Sequence, residues 1–389
     1  MRIVVARGLG RGLACMHQST LRQPPTGRAA TSAPRRSPRT PSTIAGAASP
    51  SKSHDIYSLD PKVYDIAFSF RDFEAESAFI VEAHTKFATS PVSGLSSFLE
   101  VGCGPARHAL LLAQSGIAKR SVGVDLSPEM VEYASARAKE LGLEGRTAFV
   151  VADMADTING IGGNDGSGFT RAVVDANDGG LYDAAAIMLG TFSHCLDNDS
   201  ACAALRNIAE CVKPGGILVM ELGNPRDVYQ GSFCMDGFVN VWEIGEHGDV
   251  DFLDEGDDDF DEEGEDDGEG ELDMPSDDDL GDDLDDDLEE GFDDELRVMV
   301  EYGREGDHFD VERGLLDRTV GFSLFDGGEL ASSSTNLVTQ RQYTLQEIDL
   351  LARLSGWRLG PDAVFGDFSF DISLTDDEAD RMIVVLSRI

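Results

Sequence analysis

Two glycines preceded by an acid are the chain's strongest candidate for binding chemistry. Gly102 and Gly104 follow a short apolar stretch, and Glu100 stands two positions before the first of them. A glycine turn lets backbone approach a ligand closely, because no Cβ intervenes, and a helix that follows presents unpaired N–H groups. A dinucleotide-binding turn has a third glycine where this chain has Arg107, which disfavours a dinucleotide. Glu100 suits a ligand with a cationic group.

Two more acids fall at the ends of the next two predicted strands. Asp125 lies 21 residues after Gly104, and Asp153 and Met154 end the third strand. A carboxylate at position 125 can accept hydrogen bonds from both hydroxyls of an adenosine ribose. Asp153 can accept from an exocyclic amine, and the Met154 N–H can donate to a ring nitrogen. The three strand ends therefore predict a site for a nucleoside.

Short apolar strands alternate with helices around these residues, which predicts an α/β fold with a parallel sheet covered on both faces. Ser127-Pro128-Glu129 is a strong helix start. We predict strands at 97–101, 121–126, 147–154, 182–189 and 217–222, with helices at 106–115, 127–141 and 199–212, the last closed by Lys213-Pro214-Gly215-Gly216. For residues 155–181 we expect a partly flexible loop with room for a short helix.

The segments that flank this core have other patterns. Helical spacing from Asp72 onward predicts a cap, and an apolar period of two after residue 295 predicts antiparallel strands inserted as a lid. Thr344 and Glu347 form a capping box, and strands near 356–359 and 382–386 are expected to pair antiparallel at the sheet edge. The predicted units are a transit-like segment (1–54), a helical cap (55–94), the core (95–225), a lid insertion (226–343) and a C-terminal part that completes the core (344–389).

Charge is very uneven along the 389 residues, whose formal net charge is −42. Residues 1–54 contain nine Arg/Lys and no Asp/Glu, a composition typical of a transit peptide for a mitochondrion or plastid. A plain disordered tail is the alternative, and it would leave the protein in the cytoplasm. Six scattered cysteines without a CxxC pair indicate a reducing compartment. No apolar run approaches the ~18 residues that a membrane span requires.

Residues 246–295 form an acid run with 30 Asp/Glu and no Arg/Lys. Like charges at this density repel, so we expect disorder. The calcium-loop pattern is absent from the run, so we predict no metal site. A basic partner and loosely held divalent cations are the two kinds of ligand left open for the run. The residues outside both segments include 22 basic and 43 acidic ones. Such a body lacks the basic patch that nucleic-acid binding needs.

Four motifs, in order, resemble those of class I S-adenosylmethionine-dependent methyltransferases. They are Leu99-Glu100-Val101-Gly102-Cys103-Gly104-Pro105, Gly123-Val124-Asp125-Leu126-Ser127-Pro128-Glu129-Met130, Ala152-Asp153-Met154 and Lys213-Pro214-Gly215-Gly216. The match spans residues 95–222, and the closing helix and strands extend it to residue 389. The resemblance implies a Rossmann-like fold whose seven-stranded, mostly parallel sheet has an antiparallel last strand. It also implies S-adenosylmethionine as the cofactor.

The resemblance assigns the methionine end of the cofactor to the first motif and to strand four. Gly102 and Gly104 approach it, Glu100 contacts its ammonium through water, and the carbonyls of Leu189 and Gly190 also face the ammonium. Tyr64 or Arg71 of the cap is a candidate for the cofactor carboxylate, with core packing as the alternative for Tyr64. Asp125 holds the ribose, and Asp153 and Met154 hold the adenine. The predicted cofactor residues are Glu100, Gly102, Cys103, Gly104, Asp125, Leu126, Asp153, Met154, Leu189, Gly190, Tyr64 and Arg71, with Cys103 as a small filler of the turn.

The methyl acceptor is less well indicated. His194, just past strand four, lies where acceptors sit and is the one candidate for a catalytic base; a structural histidine is the alternative. The sequence after strand four, Met188-Leu189-Gly190-Thr191, lacks the Asn-Pro-Pro-Tyr type of signature found in amino-group methylation of nucleic acid. We expect a small-molecule acceptor, with no nucleic acid or membrane partner. The alternatives are a protein methyltransferase and a non-catalytic scaffold that docks basic partners through the acid run.

Overall fold

The computed structural model describes residues 60–89, 94–156, 168–230, 240–245, 250–252, 296–304 and 306–389. All of them belong to the unit that spans residues 51–389. The transit-like segment 1–54 and nearly all of the acid run lie outside the described residues, as does the loop 157–167. Among the described residues, no helix is both long and apolar enough to cross a membrane.

A seven-stranded sheet forms the centre of the fold. Its strands are β1 (Ser97–Val101), β2 (Arg120–Asp125), β3 (Thr147–Val151), β4 (Tyr182–Ile187), β5 (Val212–Gly223), β12 (Trp357–Phe365) and β13 (Arg381–Arg388). They lie in the order β12-β13-β5-β4-β1-β2-β3. The pairs among β1 to β5 are parallel, while β13 runs antiparallel to both β5 and β12. The predicted α/β fold with an antiparallel last strand is confirmed.

Helices cover both faces of this sheet because its strands are apolar on both sides. The helices are α1 (Pro61–Ala67), α2 (Phe73–Phe87), α3 (Arg107–Gln114), α4 (Pro128–Glu140), α5 (Gly168–Ala176), α6 (Asn198–Cys211), α7 (Pro225–Gln230) and α8 (Leu345–Leu354). In β1, Phe98 belongs to the apolar cluster on one face, with residues of α2 and α3, whereas Leu99 belongs to the cluster on the other face, with residues of α5, α6 and α8. Full burial of such a side chain contributes about 1.5–3 kcal/mol.

Local signals set the helix starts as predicted. The Ser127 hydroxyl accepts a hydrogen bond from the Met130 N–H at 3.2 Å, with Pro128 in the first turn. Thr344 and Glu347 form the predicted capping box. Three boundaries differ by more than one residue within the core: β3 and β4 end at Val151 and Ile187, before the predicted 154 and 189. The largest difference is at residues 213–216, which do not close α6 but belong to β5, since that strand begins at Val212 directly after the helix. The strand begins early because Val212 pairs with Tyr182 ahead of an irregularity in the β4–β5 register.

The cap consists of α1 and α2, and it joins the core to a second sheet. That sheet, the lid, contains β6 (Asn240–Gly245), β7 (Val250–Phe252), β8 (Leu296–Tyr302), β9 (His308–Asp310), β10 (Leu315–Asp326) and β11 (Glu329–Arg341). All its pairs are antiparallel. Val63 and Ile66 of α1 pack against Trp242 and Val300 of the lid. The strands predicted over 296–343 are present. β6, directly ahead of the acid run, was not predicted, and β7 lies within the run, so the expectation of disorder is wrong for residues 250–252.

Candidate functional site

A cavity of about 470 Å³ opens at the carboxyl ends of β1, β2 and β3. This is the edge at which open α/β sheets bind ligands. The volume is within the range of small-molecule sites, about 300–1,000 Å³. The predicted site residues on its wall are Tyr64, Gly102, Gly104, Asp125, Leu126, Asp153, Met154 and His194.

The glycine turn brings bare backbone to the cavity wall. Gly102 and Gly104 both have positive φ, +64° and +48°, a conformation that favours glycine. A Cβ on Gly102 would lie 2.3 Å from the Thr191 Cγ2 atom, so this glycine also lets the 3₁₀ helix Thr191–His194 approach the turn. Cys103 does not line the cavity; its sulfur packs against Gly123 instead, and burial raises the pKa of the thiol. Its position fits the predicted filler.

Asp125 holds the turn and faces the cavity at once. Its carboxylate accepts hydrogen bonds from the N–H groups of Gly104 at 2.8 Å and Ser127 at 2.9 Å. Burial raises the pKa of the Asp125 carboxyl, although these two N–H groups oppose the shift. Each carboxylate oxygen has more than one acceptor direction, so hydroxyl donors from a ligand can be added. Leu126 beside it is 64% exposed and supplies apolar wall.

The loop after β3 forms the adjoining wall. Asp153 is exposed and accepts a hydrogen bond from the Ala155 N–H at 2.8 Å. The Met154 carbonyl accepts from the Asn207 amide of α6 at 2.8 Å, which fixes the loop against the core. Phe169 of α5 lines the cavity as well. An acceptor group and apolar surface on the same wall match the polar edge and the apolar face of a nucleoside base.

The structure does not bring Glu100, Leu189, Gly190 or Arg71 to the cavity wall. Glu100 is buried; one carboxylate oxygen lies 2.8 Å from the His108 Nδ1 atom and the other accepts from the Ala109 N–H at 2.8 Å. Glu100 is therefore placed behind the cavity wall, and its predicted contact with an ammonium through water stays a prediction.

Of the remaining predicted residues, one lies on the cavity wall and the others form contacts behind it. Leu189 donates its N–H to Glu221 at 2.7 Å and borders only a narrow cleft of about 20 Å³, which Glu100 and Cys103 also line. Arg71 forms a bidentate ion pair with Glu221 at 3.0 and 2.9 Å. Of the two cap candidates, Tyr64 is therefore the one on the cavity wall, and it also borders the cleft.

Comparison with known proteins bears on this site directly. Residues 98–164 match the family model described as a methyltransferase domain, a stretch that includes the glycine turn and both strand-end acids. A search of curated proteins gives no match. The chain carries a class I S-adenosylmethionine-dependent methyltransferase domain. S-adenosylmethionine is the cofactor of this domain.

Solved methyltransferase structures share the fold at low sequence identity. A S-adenosylmethionine-dependent methyltransferase from Clostridium acetobutylicum is 14% identical with a TM-score of 0.52, covering 86% of this chain and 99% of its own. DesVI from Streptomyces venezuelae is 16% identical with a TM-score of 0.51, covering 84% and 97%. KedS8 from Streptoalloteichus is 15% identical with a TM-score of 0.50, covering 90% and 99%.

The methyltransferase cavity fits an adenosine-type cofactor. Gly102 leaves no room for a side chain, Asp125 presents a partly buried acceptor, and Asp153 and Met154 lie at the next strand end. These residues would hold the nucleoside, while Tyr64 closes the wall from the cap. The cofactor supplies an electrophilic methyl group when bound. The chain's own contribution is to hold the methyl donor and the methyl acceptor in the geometry for direct displacement, since positioning alone lowers the barrier of such a reaction substantially.

His194 lies at the end of the 3₁₀ helix and lines the cavity beside Cys195. The Tyr343 hydroxyl donates to the Cys195 carbonyl and so ties this turn to the C-terminal part of the chain. Burial raises the pKa of the Cys195 thiol to about 12, so this thiol stays neutral.

In the described residues no group of three or more His, Cys, Asp or Glu could hold a metal ion.

Several wall residues of the methyltransferase were not predicted as site residues. They are Val101, Val124, Ser127, Pro128, Glu129, Met130, Ala152, Ala155, Phe169, Thr191 and Cys195. Residues 127–130 were in a motif already identified, so their place at the mouth of the site could have been inferred from it. Phe169 had no local signal, because it reaches the cavity only through the packing of α5 on the sheet.

Proposed function

We propose that the protein transfers the methyl group of S-adenosylmethionine to a small-molecule acceptor that binds beside the cofactor, beneath the cap and lid. The observation that carries this proposal is the wall contributed by Tyr64, since α1 has the cavity on one side and the lid sheet on the other. Arg341 at the end of β11 also bonds Asn198, next to the turn of His194, at 2.8 Å. An acceptor enclosed on these sides would be shielded from water.

His194 is the residue we propose to orient or deprotonate the acceptor. It is half-buried on the cavity wall, at the end of β4 and next to the anchoring contact of Arg341. A base is needed only where the acceptor must lose a proton before or during attack. Among the fold neighbours, KedS8 is a sugar N-methyltransferase; this is consistent with a small acceptor for a related architecture.

A screen with labelled methyl donor tests the proposal. The full-length protein is incubated with S-adenosylmethionine labelled in its methyl group and with a fractionated extract. Label in the low-mass fraction supports a small-molecule acceptor, and label in the protein fraction supports the protein-methyltransferase alternative. Absence of label in both fractions, with undiminished cofactor binding, supports the scaffold alternative.

The terminal segment, the acid run and the body of the chain add three proposals about cellular context. The basic, acid-free composition of residues 1–54 supports import into a mitochondrion or plastid. The 30 acids of the acid run support docking of a basic partner or loose attraction of divalent cations, and the acidic body supports a function without nucleic acid or membrane. Fusion of residues 1–54 to a fluorescent protein tests the first; a diffuse cytoplasmic signal would contradict it.

A further inference from the structure

A buried histidine links the cap to the strand that carries the cofactor turn. His108 of α3 is 1% exposed, and its two ring nitrogens lie 2.8 Å from Glu100 and 2.8 Å from Glu76 of α2. Ionised carboxylates only accept hydrogen bonds, so two such contacts require N–H groups at both ring positions. The geometry is therefore that of an imidazolium held between two carboxylates.

The same cluster continues to the far side of the cap. Arg71, which precedes α2, lies 2.8 Å from Glu76 and pairs with Glu221 of β5. Arg381 of β13 completes it, 3.6 Å from Glu221 and 4.0 Å from Glu76. Arg381 also lies 3.7 Å from the partly exposed Asp367. Without a proton on His108, the carboxyls of the cluster would outnumber its cationic groups, so the arrangement favours a protonated His108.

The cluster lies directly behind the cofactor site. Glu100 stands two residues before Gly102, and the Glu221 oxygen that pairs with Arg71 also accepts the Leu189 N–H at the end of β4. On the cap side, Glu76 and Arg71 belong to the segment that follows α1, whose Tyr64 forms cavity wall. The cluster is thus the charged part of the contact between cap and binding site.

We propose that His108 is a positioning residue for cofactor binding: bridging Glu100 and Glu76, it docks the cap helices so that Tyr64 closes the cofactor cavity. Without its charge, two carboxyls would face each other in a buried space. Breaking one partner out of a buried ion cluster is strongly unfavourable, and moving the cap outward would relieve it. The proposal rests on the cofactor and not on the acceptor, so it stands or falls independently of the proposed function.

The electrostatics of the cluster agree with this role. Burial alone would lower the pKa of His108, but the charges of Glu100 and Glu76 outweigh it and raise the pKa to about 9. A raised pKa means that the stabilisation is fully present below the unfolded-state value and is lost as pH rises through about 9. At neutral pH the bridge is charged and the cap is docked.

Binding of S-adenosylhomocysteine to the full chain tests the proposal without knowledge of the acceptor. His108→Gln removes the charge, and we expect its dissociation constant to rise about tenfold, within the usual range of coupling between sites. His84→Gln is the matched control, because His84, on α2, is buried like His108 but is not in the cluster. The affinity of this variant for S-adenosylhomocysteine should stay at the parent value. A His108→Gln protein with parent affinity would overturn the proposal.

Rescue separates positioning from a merely structural role. Adding Glu76→Gln to His108→Gln removes the facing charge, so affinity should return to within about threefold of the parent; a double variant as weak as the single one would count against the proposal. If His108→Gln does not fold, nitrogen NMR of labelled histidine in the parent protein decides the question. A protonated His108 at neutral pH supports the proposal, and a neutral ring there overturns it.

Discussion

Asp125 combines two properties that usually conflict. It is largely removed from water, which raises the pKa of its carboxyl, and it accepts two backbone hydrogen bonds that favour its charged form. A carboxylate kept in this state is a strong acceptor for hydroxyl groups. The residue therefore shapes the glycine turn and presents, through the same group, the acceptor that would hold the ribose.

Removal of this carboxylate should weaken cofactor binding. For Asp125→Ala we expect a loss of at least about 1.5 kcal/mol, the order of a hydrogen bond to a charged group, measured by calorimetry with S-adenosylhomocysteine. Asp349→Ala, which removes a carboxylate paired with Arg353 on α8, serves as control and should bind like the parent. An unchanged affinity of Asp125→Ala would refute the ribose role.

The same residue predicts an acid limit to binding. Because burial raises the pKa of Asp125, the acceptor is protonated earlier on acidification than an ordinary aspartate, and affinity should fall as pH falls through that raised value. For folding the sign is reversed, since protonation relieves the burial penalty of the charge. Dissociation constants of parent and Asp125→Asn are compared between about pH 8 and pH 5. Parallel pH profiles of the two proteins would contradict the assignment.

At the level of elements, the site depends on how closely two backbone segments approach. The turn after β1 and the 3₁₀ helix after β4 come from strands that are neighbours in the sheet. They touch at Gly102 and Thr191. The positive φ of Gly102 already favours glycine, and the contact with Thr191 adds a second, steric requirement.

Gly102→Ala should therefore cost more than its backbone conformation explains. Gly142 has a similar φ of +68°, and no atom lies within 4 Å of the place that a Cβ would take there, so Gly142→Ala measures the cost of conformation alone, about 1–2 kcal/mol. For Gly102→Ala we expect an additional ~1–3 kcal/mol from overpacking, measured by denaturant unfolding. Thr191→Ser, which removes the methyl group nearest the new Cβ, should recover part of it. Equal costs for the two alanine variants would show that the contact is unimportant.

At the scale of the whole molecule, one apolar cluster holds cap and lid together. It combines residues of α1 with strands on both sides of the acid run. Trp242 packs there and donates its indole N–H to the Ala67 carbonyl at 2.9 Å. The described pairs of the lid sheet involve no residue between 253 and 295.

Replacement of residues 253–295 should leave the cofactor site unchanged. β7 and β8 both pair with β6, so a Gly/Ser linker of about fifteen residues can cross from one to the other. We expect the dissociation constant of S-adenosylhomocysteine to stay within about twofold of the parent value. A replaced protein that fails to fold, or that binds the cofactor poorly, would make the acid run part of the structure.

Local signals in the chain determined the order of strands and helices and the identity of the turn. Ser127, Thr344 and the glycines act on their immediate neighbours, so their effect can be predicted from the sequence. The antiparallel end of the sheet followed from the family resemblance. The four motifs also indicated the cofactor, because the positions of Gly102 and Asp125 at strand ends follow from the local sequence alone.

Only the tertiary structure decided what Glu100 and Arg71 do. Glu100 meets Glu76 through His108, which is 32 residues from Glu76, and Arg71 meets Glu221, 150 residues away. Buried charges are stable only beside partners, and no local pattern encodes partners at such separations. The sequence by itself determined the cofactor, because the four motifs lie close together along the chain. The fold decided which of the neighbouring side chains line the cavity and which pair with one another between cap and core.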